Sequence, residues 1–211
     1  MQYASFAGVP GSSATGSGRL QTSVTLCDKA CLKSGPCRVN HDAYSDAYIR
    51  DILTRYRTIA MVGASPNTSR PSYFVMKYLK AKGFRVIPVN PGQAGKEILG
   101  ERVYASLAEI EEKVDIVDIF RASGAALAIT SEAIAIGARV VWMQLGVRND
   151  DAARLAEEAG LQVVMNRCPK IEYGRLSGEL SWAGVNSRRL SSRRPVLGAK
   201  GVQHRVLAPK V

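Results

Sequence analysis

The residues with the clearest chemical potential lie in one short polar segment, Gly63-Ala64-Ser65-Pro66-Asn67-Thr68-Ser69-Arg70-Pro71-Ser72. This segment follows an apolar run and precedes a helical pattern, and Ser72 is the expected helix cap. Backbone N–H groups and the helix dipole at such a helix start favour a phosphate or pyrophosphate. Arg70 adds guanidinium donors at the mouth of the segment. We therefore predict a phosphate-binding loop here.

The glycine pattern limits which nucleotide this loop could hold. A dinucleotide fingerprint needs three glycines and a carboxylate at the end of the second strand. Here Gly63 is the one clear glycine of the loop, and the second strand ends in Asn90-Pro91. A P-loop needs a closing Gly-Lys-Ser/Thr, which this segment lacks. The sequence therefore disfavours NAD and excludes a P-loop.

Candidates for catalysis are few. Cys168 is expected beyond the fifth strand, where Arg167 and Lys170 would lower the pKa of its thiol. A thiolate here could attack the disulfide form of a thiol ligand, giving a mixed disulfide and releasing one ligand thiol, and the alternative is a small buried residue. His41 and His204 both fall outside the expected cleft, which removes histidine-based acid–base chemistry. We expect a binding protein more than an enzyme.

The elements that position these residues follow from a repeated alternation of apolar runs and helical patterns. Apolar runs begin near residues 58, 85, 114, 139 and 161, at steps that fit a strand, a crossover helix and two loops. This alternation predicts an α/β, Rossmann-like, doubly wound three-layer fold around a five-stranded, mainly parallel sheet. Ligands of such folds bind beyond the carboxyl ends of the strands, which is where residues 63–72 lie.

Local patterns sharpen these expectations. Helices are predicted over residues 41–57 and 72–82, with Phe74 in the apolar stripe of the second. Pro88 favours a strand end or a locally unpaired position. Asp118, on the third strand, either faces the cleft or is a buried, paired carboxylate.

The charge distribution divides the chain into three parts. The net charge is +11, of which residues 1–38 carry +3 and residues 181–211 carry +7. We predict a disordered leader at 1–40, a globular domain at 41–180 and a basic flexible tail at 181–211. The leader could reflect a misassigned start, because Val39 could be encoded by a GTG start codon.

Composition excludes other classes. Hydrophobic residues make up 46% of the chain, so a packed core is expected. No apolar run reaches the roughly 20 residues of a membrane helix, which excludes a spanning protein. One cysteine in the domain fits the reducing cytoplasm. Nucleic-acid binding is disfavoured because the predicted domain, 41–180, is nearly neutral. The sequence does not decide whether the protein forms a homo-oligomer.

An ordered set of motifs runs from about Thr58 to Leu176 and resembles the stand-alone CoA-binding domain proteins. The motifs are Val62-Gly63-Ala64-Ser65-Pro66, Arg70-Pro71-Ser72-Tyr73, Pro88-Val89-Asn90-Pro91, Ile98-Leu99-Gly100-Glu101, Val114-Asp115-Ile116-Val117-Asp118-Ile119-Phe120-Arg121, Trp142-Met143-Gln144-Leu145-Gly146-Val147 and Asn166-Arg167-Cys168-Pro169. The region is also similar to the CoA-binding domain of the succinyl-CoA synthetase alpha subunit. Asn166 departs from the acidic residue expected there.

The resemblance implies a Rossmann-like domain that binds coenzyme A or an acyl-CoA and has no established catalytic activity. It places the pyrophosphate near Gly63 and Ser72, the adenosine near Asn90 and the pantetheine arm near Gln144. Lys96 could meet the 3′-phosphate. The expected ligand-binding residues are Gly63, Ala64, Ser65, Arg70, Pro71, Ser72, Val89, Asn90, Pro91, Arg121, Gln144, Gly146, Val147 and Cys168.

Two other functions stay open. The chain could be the CoA-binding subunit of an acyl-CoA ligase or transferase whose catalytic part is a partner chain. It could instead associate with RNA through its basic C-terminal tail. No metal site is expected, because the cysteines at positions 27, 31 and 37 lack zinc-site spacing.

Overall fold

The computed structural model of the chain describes residues 39–179 and Leu207. These residues form a five-stranded parallel sheet with helices on both faces, which confirms the predicted doubly wound α/β fold. The predictions for the leader, up to residue 38, and for the basic tail lie outside the described residues, except at Leu207. Leu207 is buried, and its N–H donates to the hydroxyl of Tyr173 at 2.7 Å.

The main strands and the helices alternate along the chain as predicted, except between the second and third main strands, where two short strands and 3₁₀ turns replace a helix. The strands are β1 Thr58–Val62, β2 Arg85–Val89, β3 Glu97–Ile98, β4 Glu101–Arg102, β5 Ile116–Ile119, β6 Val140–Met143 and β7 Gln162–Val164. The helices are α1 Asp46–Arg55, α2 Pro71–Ala81, α3 Ala126–Ala135, α4 Asp150–Glu158 and α5 Pro169–Ser177. The short strands β3 and β4 pair antiparallel as a hairpin.

The sheet is buried on both faces because its strands are continuous apolar runs. Its order is β2-β1-β5-β6-β7. Residues of α1, α2 and α5, such as Ile52 and Leu79, pack on one face. Residues of α3 and α4, such as Ile129 and Ala156, pack on the other. The result is three layers, helices–sheet–helices.

The strand order reverses between β1 and β5. The chain leaves β1 toward β2 on one side, and every later main strand lies on the other side. The loops that follow β1 and β5 therefore diverge and leave a crevice between them, the usual ligand position in doubly wound sheets.

Two local expectations need correction. Helix α1 begins at Asp46 and not near His41, because the Ser45 hydroxyl accepts the Tyr48 N–H and caps the helix there. Pro88 lies inside the edge strand β2, paired with Met61. Its carbonyl faces away from β1 and accepts a hydrogen bond from the Tyr104 N–H. The N–H that proline lacks would also face away from β1, so the hydrogen bonds between β1 and β2 do not require it.

Tyr48 in α1 and Tyr44, which precedes this helix, contact the backbone of β7 and of Met165, the residue after it. The Tyr48 hydroxyl donates to the Val163 carbonyl and accepts from the Val163 N–H, both at 3.1 Å. The Tyr44 hydroxyl accepts from the Met165 N–H at 2.7 Å. Burial raises the pKa of Tyr48, so its hydroxyl keeps its proton and remains a donor.

Replacing Tyr48 by Phe should destabilise the domain by about 2 kcal/mol, because both polar groups of Val163 lose their partner. The free energy of unfolding in urea measures this loss. Tyr56→Phe is the matched control, since no hydrogen bond of the Tyr56 hydroxyl is seen among the described residues. Equal losses in the two variants would contradict the role given to the Tyr48 hydroxyl.

Candidate functional site

A groove of about 910 Å³ opens at the carboxyl ends of β1, β5 and β6, over the point where the strand order reverses. Its volume lies within the range of small-molecule sites. The lining residues are Gly63, Ser65, Ser69, Arg70, Pro71, Ser72, Phe74, Val75, Asn90, Phe120, Arg121, Gln144, Leu145, Val147, Cys168, Lys170 and Ile171.

Most of the predicted site residues lie on this groove, and four do not line it. Ala64 and Val89 are buried in the core with 1% and 2% exposure. Pro91 begins a 3₁₀ turn beyond β2, and Gly146 lies in the turn after β6. Ala64 and Val89 were predicted to contact the ligand, but their side chains pack in the interior of the domain.

Sequence reasoning missed seven lining residues: Ser69, Phe74, Val75, Phe120, Leu145, Lys170 and Ile171. Phe74 was expected in the core stripe of its helix but is 50% exposed. Ser69, Phe120 and Leu145 stand in segments that follow predicted strands, so that position alone was a usable signal. The other four lie on α2 and α5, where differences in helix orientation decide which side chains face the groove.

Gly63 makes the tight turn from β1 toward α2. Its backbone has φ +93°, a conformation that L side chains rarely adopt. A Cβ at this position would lie 3.0 Å from Cδ of Arg121 and 3.3 Å from the carbonyl carbon of Phe120. Glycine is therefore required twice, by the turn itself and by the close approach of the β5 loop.

Asn90 holds the loop after β1 in place from the neighbouring strand. Its side-chain amide donates to the Ala64 carbonyl at 2.7 Å, and its side-chain oxygen accepts from Gly92 N–H at 3.0 Å. The Gly63 N–H donates to the Val89 carbonyl at 2.8 Å. These bonds fix the backbone of the loop before any ligand binds.

The start of α2 differs in detail from the expectation. Arg70 is the N-cap, Pro71 is the first helical residue, and Ser72 is buried in the first turn and does not cap the helix. Proline suits this position because its fixed φ is helical and it has no N–H to satisfy. Pro71 has no N–H, and the Tyr73 N–H donates to the Arg70 carbonyl at 3.1 Å. Of the first three helical residues, only Ser72 has an amide without a backbone partner among the described residues.

The groove is positively charged. Arg70 and Arg121 are exposed on either side of Gly63, and within residues 39–179 neither forms an ion pair. Lys170 also lines the groove, with its ammonium 5.8 Å from the centre of the Tyr78 ring. None of the lining residues is a carboxylate. The groove is therefore suited to an anionic group.

Gln144 connects the groove to a buried carboxyl group. Its amide nitrogen lies 3.2 Å from each carboxyl oxygen of Asp118, which is fully buried. Burial raises the pKa of Asp118 to about 8, against the lowering effect of the Gln144 hydrogen bond. Asp118 is thus a buried, paired carboxyl group, one of the two alternatives left open by the sequence.

Cys168 overturns an expectation. We expected Arg167 and Lys170 to lower the pKa of its thiol, but burial raises that pKa, and Asp118 adds to the effect. The residue is 8% exposed and is the N-cap of α5. Its thiol is therefore mainly neutral at pH 7, which makes it a poor nucleophile.

Asn166 has a structural role that the sequence did not reveal. Its φ of +52° is in the left-handed region, which asparagine tolerates better than most residues. Its side-chain oxygen accepts the Gly146 N–H at 2.9 Å, and its own N–H donates to the Val147 carbonyl. Asn166 therefore shapes the turn that follows β6 beside the groove.

Other candidate features lie away from the groove. His41 contacts Tyr44 and Glu157, as expected for a residue outside the cleft. Lys96 lies on the hairpin segment beside Gln93 and does not line the groove. The described part of the chain contains no cluster of metal-binding side chains and no helix long and apolar enough to cross a bilayer.

Together the strand order and the groove define a doubly wound α/β domain with a groove at the switch point, where such folds usually bind ligands. Residues 57–174 match the family described as CoA binding domain, and the chain belongs to this family.

Relatives cover the same region. The chain is 37% identical over 129 residues to YneT, an uncharacterized protein of Bacillus subtilis. The aligned region covers 61% of this chain and 94% of YneT. A solved structure from Pyrococcus horikoshii shares 44% identity with a TM-score of 0.61, over 64% of this chain and 94% of that one. A shorter match, 31% over 74 residues, links 33% of this chain to 10% of an ADP-forming acetate–CoA ligase of Methanocaldococcus jannaschii.

Proposed function

We propose that this protein binds coenzyme A, or an acyl thioester of it, in the groove above β1, β5 and β6, without catalysis of its own. The observation that carries the proposal is the placement of Arg70 and Arg121, which form no ion pair within residues 39–179, on either side of the Gly63 turn. CoA carries a diphosphate and a 3′-phosphate, and forked guanidinium donors match phosphate oxygens in charge and geometry. Membership of the CoA-binding domain family supports the choice of ligand.

The diphosphate would lie on the loop from Gly63 to Ser65, against the first turn of α2. The Ser72 N–H and the helix dipole favour an anion there. Asn90 and its bond to Ala64 keep the loop open for this contact. Because Gly63 has no Cβ, the ligand can approach its backbone closely. For the same reason the Arg121 side chain can pass over Gly63.

The same residues disfavour NAD. In a dinucleotide site, a carboxylate at the end of the second strand accepts hydrogen bonds from the ribose hydroxyls. Asn90 stands there instead, and both ends of its side-chain amide are already engaged with the protein backbone. The adenosine of CoA, whose 3′-hydroxyl is phosphorylated, has no need of such a carboxylate.

The groove offers little for catalysis. Histidine is absent from its lining, and its lone thiol, Cys168, is kept neutral by burial. Asp118 is enclosed beneath Gln144 and cannot reach a ligand directly. Binding without turnover is the function these side chains support best.

A second candidate function rests on the match to the acetate–CoA ligase. In that case the domain would be the CoA-binding subunit of an acyl-CoA ligase or transferase, and a partner chain would supply the catalytic groups. Recovery of acyl-CoA synthesis upon adding such a partner would distinguish this candidate from a binding protein.

Titration calorimetry with CoA, dephospho-CoA, NAD and ATP tests the main proposal. CoA should bind most tightly, and Arg70→Gln and Arg121→Gln should each weaken it by about tenfold or more, because each removes a charge-assisted hydrogen bond. Arg139→Gln is the matched control, since Arg139 is exposed at the opposite end of the sheet. A preference for NAD, or equal effects of all three substitutions, would refute the assignment.

A further inference from the structure

Large apolar side chains are gathered around the mouth of the groove. Among the described residues, four such side chains are exposed, and Phe74, Leu145 and Ile171 line this groove with exposures of 50%, 56% and 43%. The fourth, Leu127, lies elsewhere, on α3 beside residues of α4. Single exposed apolar residues are ordinary, but three around one site indicate an apolar ligand group or partner.

The order of the strands fixes which part of the ligand meets these side chains. With the diphosphate over β1 and the adenosine toward β2, the pantetheine arm must run toward β5 and β6. Leu145 follows Gln144 in the turn after β6, and Ile171 lies in the first turn of α5 beyond β7. These two residues are therefore at the thiol end of the arm, and the phosphate-binding arginines are at its other end.

We infer that the groove is built for an acyl-CoA with an apolar acyl chain, which packs against Leu145 and Ile171, in preference to free CoA. This inference rests on the proposed function and adds the class of thioester to it. Free CoA ends in a thiol and would leave both side chains in water. An acyl chain extends beyond the sulfur and covers them, and each fully buried methylene is worth about fourfold in affinity.

The chemistry at this end of the groove is compatible with an intact thioester. A thiolate beside a thioester would attack its carbonyl carbon and transfer the acyl group. Cys168 lies at the start of α5, and its burial holds the thiol in its neutral form. The acyl-CoA can therefore stay bound without being consumed.

Titration calorimetry with CoA, acetyl-CoA and octanoyl-CoA tests the inference. We expect octanoyl-CoA to bind at least about tenfold more tightly than CoA, with acetyl-CoA between them. In Ile171→Ser and Leu145→Ser the ratio of octanoyl-CoA affinity to CoA affinity should fall toward one. Leu127→Ser is the matched control, because Leu127 is similarly exposed outside the groove, and it should keep the wild-type ratio.

The outcomes separate this inference from the proposed function. Equal affinity for CoA and octanoyl-CoA would overturn the acyl-chain inference and leave CoA binding intact. Failure of both ligands to bind would overturn the proposed function itself. If Ile171→Ser lowers the apparent molecular mass in sedimentation and leaves the ratio unchanged, the apolar surface is a contact between copies of the chain, and the inference is wrong.

Discussion

Gly63→Ala should lower the affinity for CoA by about tenfold or more and destabilise the domain by about 3 kcal/mol. The left-handed backbone at φ +93° costs an L residue about 1–2 kcal/mol. The new methyl group would also meet the Arg121 side chain at 3.0 Å and the backbone of Phe120 at 3.3 Å. Relief of that contact moves Arg121 away from the position proposed for the diphosphate.

Gly160→Ala separates these two costs. Gly160 has a similar φ, +82°, but a Cβ there would have no heavy atom within 4 Å. It should therefore show the conformational cost alone, about 1–2 kcal/mol, with unchanged CoA affinity. Urea unfolding and titration calorimetry on both variants measure the two effects. A CoA affinity for Gly63→Ala equal to that of the wild type would show that the turn does not hold the ligand.

Asp118→Asn should stabilise the domain at neutral pH, by about 4 kcal/mol at pH 7. The pKa of Asp118 is raised from 3.8 to about 8 in the folded protein by burial. Between these values the unfolded chain binds fewer protons at this site than the folded chain, so stability falls as pH rises, by about 1.4 kcal/mol per pH unit. Asparagine has no such titration, and its carbonyl can still accept from Gln144.

The difference between Asp118→Asn and wild type should be near zero at pH 4, grow up to about pH 8 and then stay constant. Urea unfolding at pH 4.5, 6 and 7.5 measures this trend. Glu112→Gln is a control of opposite sign, because Arg85 lowers the pKa of Glu112. Its stabilising contribution is present above the ordinary pKa and is lost as pH falls, and it should be small because the pair is exposed. A pH-independent difference for Asp118→Asn would mean that the carboxyl group is ionised in the folded state.

The spacing of apolar runs was enough to predict the sheet. The starts predicted near residues 58, 85 and 139 fall within one residue of β1, β2 and β6, because a parallel sheet buried on both faces leaves uninterrupted apolar runs. The same continuity concealed which residues face the groove. Val89, the last residue of β2, was predicted to contact the ligand together with Asn90, but Val89 is buried and Asn90, the first residue after the strand, lines the groove.

Helix boundaries and electrostatics were harder to predict for separate physical reasons. The tyrosines at positions 44 and 48 repeat at helical spacing, yet only Tyr48 is within α1, because Ser45 caps the helix between them. For Cys168, the charged neighbours are visible in the sequence, but burial outweighs them and raises the thiol pKa. Burial depends on how α5 packs on the sheet, which sequence spacing alone does not give.

The hydrogen bonds of the Tyr48 and Tyr44 hydroxyls with the backbone at and just after β7 limit how copies of this chain can associate. An outermost strand normally presents free amides and carbonyls to which another strand can add. Here Val163 and Met165 already have hydroxyl partners, and on the opposite side Tyr104 contacts the backbone of β2. Among the described residues, a strand added at either border of the sheet would therefore have to displace these contacts, which disfavours fibril growth or strand exchange there.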